Sequence, residues 1–510
     1  MTDPAPFRSP PVWCYLLLNA LAAVWLAFSS IHAHHNSDSL VSSLSSLYAW
    51  TPYFWHQDRV GMFVPLLTSV CSDPMGNLIL QTGIMAFAGL CLPLALAELI
   101  YPHPVGRLAE TLANVTMLAF SSHLITNTFL LEYYYPLAMS LGCTGLLVLR
   151  RGSGWPSWWR VVGSAVCLGV ACWVYIGLPI WLGPLALVRA WLQPGEPWPG
   201  FNRSVFLRPL LHARSLIGLA SIVATFLVNY LLIQASQHER IRYRATPTIS
   251  VPQSDWVKSW RAFWNYVQEL HGTTTWESVA VGMAVLGQAA TLALRVRPGY
   301  PIVRAAIILL IPAAIEVLFM GTRHWPALNG HHPRYVLGAL ESVQLTFALL
   351  TALPLARIAA ERGRWLCFGI AAAALFCVIA DRYGFPSASR PRHEIDIHTG
   401  RWTAPLLAAD VDALGGDYWS VWPTLFHTNM VLRERGERRC IIAVSYRGRP
   451  LLERWDWSSQ PVLRVAVRKD RLEFKGFLHG IELCGLAIPE KIGETDLFEI
   501  YAVYPLKPYR

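Results

Sequence analysis

An aspartate just beyond the first apolar run is the residue whose type and position best fit catalysis. Asp38 ends a polar segment rich in histidine, 32–38, that follows the apolar run 12–31. A carboxylate there could take a proton from an attacking hydroxyl group, a step that accelerates such reactions by roughly 10²–10⁴. Asp38 also stands directly before Ser39, where its side chain can cap a helix. The two roles are compatible, because a capping aspartate is rigidly held.

Further charged and polar groups lie at the ends of later apolar runs. Arg334, in the motif His332-Pro-Arg-Tyr335, is suited to phosphate because its planar guanidinium donates two parallel hydrogen bonds. The alternative for Arg334 is a membrane-surface anchor beside an aromatic ring. Asp58 and Arg59 are adjacent. They form an ion pair at the membrane interface, or Asp58 is a second functional acid that orients the acceptor or the donor. Three further acids, Glu132, Glu316 and Glu341, are expected near the outer ends of later apolar runs.

No pattern in the sequence predicts a metal or a cofactor. The histidines His32, His34 and His35 are not spaced as His-Glu-x-x-His, and the ten cysteines include no CxxC pair. Cys440 and Cys484 lie in the C-terminal part, where a disulfide between them is one alternative and two free thiols the other.

Apolar runs dominate the chain and must position these groups. The sequence is 54% hydrophobic and 15% charged, which is typical of membrane proteins. A membrane-spanning helix needs about 20 apolar residues. We count eleven candidate runs, at 12–31, 76–100, 107–123, 135–149, 161–176, 178–192, 215–233, 276–294, 304–320, 335–356 and 365–381.

The distribution of charge predicts the orientation of the chain. The net charge of +10 might indicate nucleic acid, but many of the arginines fall in alternate short connections between apolar runs. Short connections rich in arginine stay in the cytoplasm. We therefore expect no nucleic-acid partner, a cytoplasmic N-terminus, and an extracytoplasmic C-terminal segment on a multi-pass protein of the cytoplasmic membrane.

A change of composition near residue 381 predicts two domains. Residues 1–381 form the multi-span part, and residues 382–510 form a small β-rich or α+β domain with strands expected at 440–446, 462–467 and 498–504. Between the first two runs, Leu40, Val41 and Leu44 mark one face of a helix with serines on the other. This pattern predicts a helix that lies in the membrane surface.

These features together resemble the GT-C superfamily of membrane glycosyltransferases, which includes the protein O-mannosyltransferases and the lipid A aminoarabinose transferases. Asp38 is similar to the acid that these enzymes carry in the first outer loop, and Arg334-Tyr335 resembles their Arg-Tyr element near the lipid phosphate. Their usual proline a few residues later is absent, since Val336-Leu-Gly-Ala follows.

The resemblance implies a polyprenyl-phosphate-linked sugar as donor and a hydroxyl group of a glycan, lipid or protein as acceptor. Asp38 would be the general base. Arg334, with Arg59 and His332, would bind the donor phosphate. The other residues expected to contact substrate are Asp58, Glu132, Tyr335 and Glu341.

Several alternatives remain open at the level of sequence. A transporter or flippase for a lipid-linked or anionic substrate is the leading one, and the others are a different outer-leaflet transferase and a scaffold protein. Tyr418 and Trp419 offer aromatic faces for stacking on sugars, although packing within the domain is the favoured explanation for both.

Overall fold

Helices account for most of the described part of the chain. The computed structural model describes residues 9–31, 37–44, 47–48, 61–131, 134–149, 157–175, 177–192, 250–271, 300–358, 363–453 and 455–506, with a few positions in 220–231. The helices of the apolar part are α1 (Val12–Ser29), α2 (Ser37–Leu44), α3 (Phe63–Thr68), α4 (Pro74–Ile100), α5 (Pro104–Phe120), α6 (His123–Leu130), α7 (Tyr135–Val148), α8 (Ser157–Val174), α9 (Pro179–Trp191), α10 (Trp256–His271), α11 (Tyr300–Gly321), α12 (His324–Leu328), α13 (Leu337–Ile358) and α14 (Arg364–Tyr383).

Five helical segments in the described residues are long and apolar enough to cross a membrane. They are Val12–Ser29, Pro74–Ile100, Val303–Gly321, Pro333–Ala352 and Arg364–Tyr383, with Tyr135–Val148 and Trp158–Val174 as shorter apolar helices. In a bilayer a helix satisfies its own backbone hydrogen bonds, which is why such runs become helices. These segments identify the chain as a membrane protein.

The predicted apolar runs largely coincide with helices. The runs 215–233 and 276–294 lie wholly or mostly outside the described residues, and each of the other runs coincides with one helix. The helices at 104–120, 135–148 and 179–191 are shorter than a full span. The number of eleven spans therefore remains a prediction.

The C-terminal part folds around a mixed sheet. Its strands are β1 (Ala413–Gly415), β2 (Ile442–Val444), β3 (Leu463–Arg468), β4 (Glu490–Glu494) and β5 (Phe498–Val503), and its helices are α15 (Arg390–Thr399), α16 (Thr403–Ala408), α17 (Tyr418–Glu434), α18 (Arg449–Leu452) and α19 (Arg471–Cys484). The order across the sheet is β2-β1-β3-β5-β4. β1 pairs in parallel with β2 and β3, whereas β5 pairs antiparallel with β3 and β4.

The contacts within the chain divide it into two compact units. The first comprises residues 1–25, 85–237 and 242–384 and contains most of the apolar helices. The second comprises 26–84, 238–241 and 385–510, so the segment after the first membrane helix folds together with the C-terminal sheet. Asp38 thus belongs to the same compact unit as the sheet domain.

The interpretation of α2 as a membrane-surface helix is wrong. Its leucine and valine side chains are buried, and so are its serines, including Ser42, which donates a 2.7 Å hydrogen bond to the Gln81 side chain. The helix can be enclosed on both faces because hydrogen bonds satisfy its serine hydroxyl groups. A hydrophobicity pattern does not contain this information. It also begins at Ser37, so Asp38 lies in its first turn and does not precede the helix as a cap.

Candidate active site

The carboxylate of Asp38 is held by two groups from the sheet domain. The hydroxyl group of Tyr418 donates to Oδ1 of Asp38 over 2.6 Å, and the guanidinium of Arg447 lies 3.1 Å from the same oxygen. Among the described residues, none donates to the second oxygen, Oδ2. The Asp38 side chain is 19% exposed and that of Arg447 is 9% exposed. Two groups of the sheet domain therefore fix one oxygen of the Asp38 carboxylate in position.

The start of α17 positions Tyr418. Asp417 caps this helix by accepting a hydrogen bond from the backbone N–H of Trp419. The carbonyl of Tyr418 accepts a 2.9 Å hydrogen bond from the Ser37 hydroxyl group at the start of α2. The first turns of α2 and α17 are thus tied together twice, once through the backbone and once through the Asp38 carboxylate. Burial raises the pKa of the Tyr418 phenol well above 10, so the phenol remains a proton donor to Asp38.

Arg447 reaches Asp38 from the turn after β2. Its φ of 70° places the backbone in the left-handed region, which a non-glycine residue adopts only when the surroundings hold it there. The guanidinium lies over the rings of Tyr418 and Tyr446, with 5.1 Å and 5.6 Å to the ring centroids. Burial by itself would lower the pKa of Arg447, but Tyr418, Asp38 and Tyr446 reverse this, and the net direction is upward. The cation therefore remains charged beside Asp38.

Tyr418 and Trp419 differ in exposure. Tyr418 is half-buried and its hydroxyl group donates to Asp38, whereas Trp419 is 58% exposed. Their rings meet edge to face at 5.0 Å, so the indole stands beside the phenol that contacts Asp38. Packing within the domain accounts for the position of Tyr418. It does not account for Trp419, because more than half of that side chain is exposed.

Arg334 and its neighbours form a separate cluster in the first unit. Arg334 lies in a 3₁₀ turn, Pro333–Val336, that leads into α13. Its guanidinium donates to the hydroxyl group of Tyr335 over 2.9 Å and lies over the Tyr335 ring. The ring nitrogen Nδ1 of His332 accepts from the Arg334 backbone N–H over 3.3 Å, which makes His332 the cap of the turn. Arg334, Tyr335 and His332 are thus brought together, as their adjacency in sequence requires.

Two buried glutamates lie on α11 and α13. Glu341 is in the second turn of α13 and is 2% exposed. Glu316, on α11, accepts a 2.6 Å hydrogen bond from the backbone N–H of Ala339. The predicted contact of Glu341 with substrate remains a prediction. Asp58, Arg59 and Glu132 lie outside the described residues, as do the histidines at positions 32, 34 and 35.

Sequence reasoning missed the role of Arg447. Arg447 directly follows the predicted strand 440–446, and its pairing with Asp38 spans most of the chain. No spacing rule links positions so far apart, and an Arg-Gly-Arg-Pro turn is by itself a common surface feature. The only available signal was the surplus of arginine in a segment expected outside the cytoplasm.

The described residues contain neither a disulfide between Cys440 and Cys484 nor a cluster of metal ligands. Cys440 and Cys484 are not joined by a disulfide; Arg433 contacts the Cys440 thiol, and the Cys484 thiol is directed at the Ser445 carbonyl. Within the described ranges, no three His, Cys, Asp or Glu side chains are grouped so that they could hold a metal ion.

Comparisons with known proteins give similar folds at low sequence identity. No family model and no curated protein matches the chain. Among solved structures, the fold is similar to ArnT from Cupriavidus metallidurans bound to undecaprenyl phosphate, with 11% identity, a TM-score of 0.49, and coverage of 96% of this chain and 97% of ArnT.

Two further structures are more distant. The Archaeoglobus fulgidus oligosaccharyltransferase in complex with zinc and sulfate has 10% identity and a TM-score of 0.37, covering 95% of this chain and 72% of that one. The archaeal oligosaccharyltransferase AglB from Archaeoglobus fulgidus, in complex with an inhibitory peptide and a dolichol-phosphate, has 12% identity and a TM-score of 0.36, covering 86% and 64%. Similarity at this level does not by itself assign a family or an activity to the chain.

Proposed function

We propose that the chain is a GT-C-type glycosyltransferase that moves a sugar from a polyprenyl-phosphate donor to a hydroxyl group of an acceptor glycan, lipid or protein. One observation carries the proposal. The acid that the resemblance makes the general base, Asp38, is anchored through Oδ1 by Tyr418 and Arg447, and its Oδ2 has no donor among the described residues. A general base needs this combination of fixed position and one accessible oxygen.

The proposed reaction is a single displacement at the sugar. The acceptor hydroxyl group donates its hydrogen bond to Oδ2 of Asp38, and its oxygen attacks the anomeric carbon. The bond between that carbon and the phosphate oxygen breaks, and its electron pair leaves with polyprenyl phosphate. The proton of the hydroxyl group passes to Asp38. Because a phosphate leaving group needs little protonation, one acid and one cation are a sufficient minimum.

A cation must compensate the charge that develops on the phosphate. We assign this role to Arg334, with His332 and Arg59 assisting, because electrostatic stabilisation of a leaving group is often the largest contribution to catalysis. Tyr335 supports Arg334 through its 2.9 Å hydrogen bond. Asp58, Glu132 and Glu341 are the further substrate contacts in this proposal. The reaction would take place at the outer face of the cytoplasmic membrane and would need no cofactor.

Asp38→Asn is the direct test, because asparagine keeps the shape and an acceptor oxygen for Tyr418 but is not a base. Purified protein would be supplied with polyprenyl-phosphate-linked hexoses and pentoses and with glycan, lipid and peptide acceptors. The measured product is free polyprenyl phosphate. We expect the rate to fall by about 10²–10⁴ in the variant.

The matched control is Asp410→Asn. Asp410 lies in the same unit and also pairs with arginines, Arg439 and Arg464, but its side chain is 76% exposed. Transfer at the wild-type rate by Asp38→Asn would reject the mechanism. Movement of the labelled donor across vesicle membranes without any release of polyprenyl phosphate would instead identify a flippase.

A further inference from the structure

A buried polar cluster joins three helices inside the first unit. Glu110 on α5 is fully buried, and its Oε1 accepts hydrogen bonds from the side-chain amides of Asn19 on α1 at 2.7 Å and Asn114 on α5 at 2.9 Å. Both amides also donate to the backbone carbonyl of Leu90 on α4, at 3.0 Å and 2.9 Å. The second carboxylate oxygen, Oε2, accepts from Thr111. Two amides therefore lie side by side against one buried carboxylate.

The amide oxygens of this cluster have no donor. Asn19 and Asn114 are both fully buried, and within the described residues no hydrogen bond reaches Oδ1 of either side chain. Rotating either amide by half a turn would set its oxygen against the carboxylate and leave its NH₂ group without an acceptor. A buried polar atom without a partner is costly and in native proteins points to a bound water or ion.

The charge of the cluster is also uncompensated. The side chains that act on Glu110 in the described structure are the neutral Asn19, Asn114 and Thr111, and none is basic. Glu341 on α13, another acid, lies within electrostatic reach of Glu110. Oε1 of Glu341 and the amide oxygen of Gln344, one turn further along α13, also lack donors among the described residues. An unpaired carboxylate in the membrane interior is strongly unfavourable.

We propose that this cluster binds a small monovalent cation, with Glu110 as the charged ligand and the amide oxygens of Asn19 and Asn114 as neutral ligands. Carboxylate and amide oxygens are the ligands that hard cations prefer. The Cys91 thiol lies 3.7 Å from the Asn19 amide nitrogen, but within the described residues no three His, Cys, Asp or Glu side chains are grouped as a metal site. One positive charge neutralises ionised Glu110. The site is independent of the proposed glycosyl transfer.

A proton on Glu110 is the simplest competing explanation. A protonated carboxyl group donates one hydrogen bond, so it satisfies at most one of the unpartnered amide oxygens. With the proton on Oε2, Oε1 would still accept from both asparagine amides, so a proton differs from a cation in the amide oxygens that it leaves without a partner. A cation satisfies the amide oxygens and leaves those hydrogen bonds intact.

The test measures whether sodium stabilises the folded full-length protein. Protein in detergent would be titrated with NaCl against N-methyl-D-glucamine chloride at equal ionic strength, and its unfolding midpoint recorded at several pH values. Saturable ²²Na⁺ binding would be measured on the same sample. We expect sodium to raise the midpoint by roughly 2 °C or more at saturation, with about one ²²Na⁺ bound per chain if a single site is filled.

The variants assign the effect to the cluster. Glu110→Gln and Asn114→Ala should abolish the sodium-dependent shift. The matched control is Glu316→Gln, since Glu316 is equally buried on α11 but accepts from backbone N–H groups, and it should retain the shift. No saturable sodium effect in the wild-type protein, or stabilisation that follows pH alone, would overturn the proposal even if the Glu110 variant fails to fold.

Discussion

Tyr418 donates a 2.6 Å hydrogen bond to Asp38 across 380 positions of sequence. It joins the first turn of α2, which follows the first membrane helix, to the first turn of α17 in the sheet domain. The Ser37 hydroxyl group reinforces this junction through the Tyr418 carbonyl. The carboxylate that we propose as the base is therefore oriented by the C-terminal domain, which would give that domain a part in the proposed reaction.

Removal of the Tyr418 hydroxyl group tests this orientation. In Tyr418→Phe the ring and its packing remain, but Oδ1 of Asp38 keeps only Arg447. We expect transfer to fall about tenfold while the free energy of unfolding falls by about 1 kcal/mol, the usual net contribution of one hydrogen bond. The measurements are kcat for polyprenyl phosphate release and chemical unfolding. Tyr504→Phe is the control, since Tyr504 is an exposed tyrosine of the same domain.

A structural role alone would give a different pattern. If Tyr418 only stabilises the fold, then Tyr418→Phe should lose stability and retain kcat. That result would contradict a positioning role for Tyr418 in the proposed reaction.

Substitution of Trp419 tests whether the acceptor is a carbohydrate. Its indole is 58% exposed and stands beside the phenol that contacts Asp38, so a sugar ring stacked on it would lie close to the proposed base. Trp419→Ala should raise KM for a glycan acceptor several-fold with little change in kcat, and Trp419→Phe should restore most of the loss. Leu472→Ala removes another exposed apolar side chain of this domain and should change neither constant. An unchanged KM in Trp419→Ala would mean that the indole does not contact the acceptor.

His427 makes the stability of the sheet domain depend on pH. Its Nδ1 lies 2.6 Å from the Thr403 hydroxyl oxygen and its Nε2 lies 2.7 Å from Asp396. Burial lowers the pKa of His427 below its ordinary 6.5, although the hydrogen bond with Asp396 acts in the opposite direction. The unfolded chain therefore binds more protons as the pH falls through 6.5, and the free energy of unfolding decreases below that pH.

Hydrogen exchange of the α17 backbone would measure this effect. Protection should decrease from pH 7.5 to pH 5.5, roughly one pH unit to either side of the ordinary histidine value, after correction for intrinsic exchange rates. His427→Gln should flatten the profile. His398→Gln should preserve it, because His398 is on the same domain but its side chain is 52% exposed. Equal profiles for wild type and His427→Gln would contradict the assignment.

Because α19 packs closely on the sheet, we expect one added methyl group at Gly480 to lower the stability of the domain. A Cβ at Gly480 would lie 2.6 Å from the carbonyl oxygen of Val444 at the end of β2, which is backbone and cannot move aside. Gly480→Ala should therefore destabilise the domain by roughly 1–3 kcal/mol. Gly493→Ala is the control, since nothing lies within 4 Å of its added Cβ. Denaturant unfolding of both variants would check this, and equal stability would show that α19 can shift.

Local pattern was sufficient to predict most of the helices and three of the strands. The apolar runs at 12–31, 76–100 and 365–381 became α1, α4 and α14, because a long apolar run can satisfy its backbone in a bilayer only as a helix. The strands β2 and β5 lie inside segments predicted from short runs of branched residues, and β3 overlaps such a segment but extends one residue beyond it. β1 has only three residues and β4 is mostly exposed and charged, so neither carries an apolar signal.

The sequence by itself determined that the chain is a membrane protein with a polar C-terminal domain, and it singled out Asp38 and Arg334. Composition and hydropathy follow from residue types alone, so no tertiary information is needed for them. Only the tertiary structure decided that α2 is enclosed, that Arg447 and Tyr418 hold Asp38, and that two asparagines surround Glu110. These contacts join residues far apart along the chain, and their energies depend on burial and distance, which local pattern does not contain.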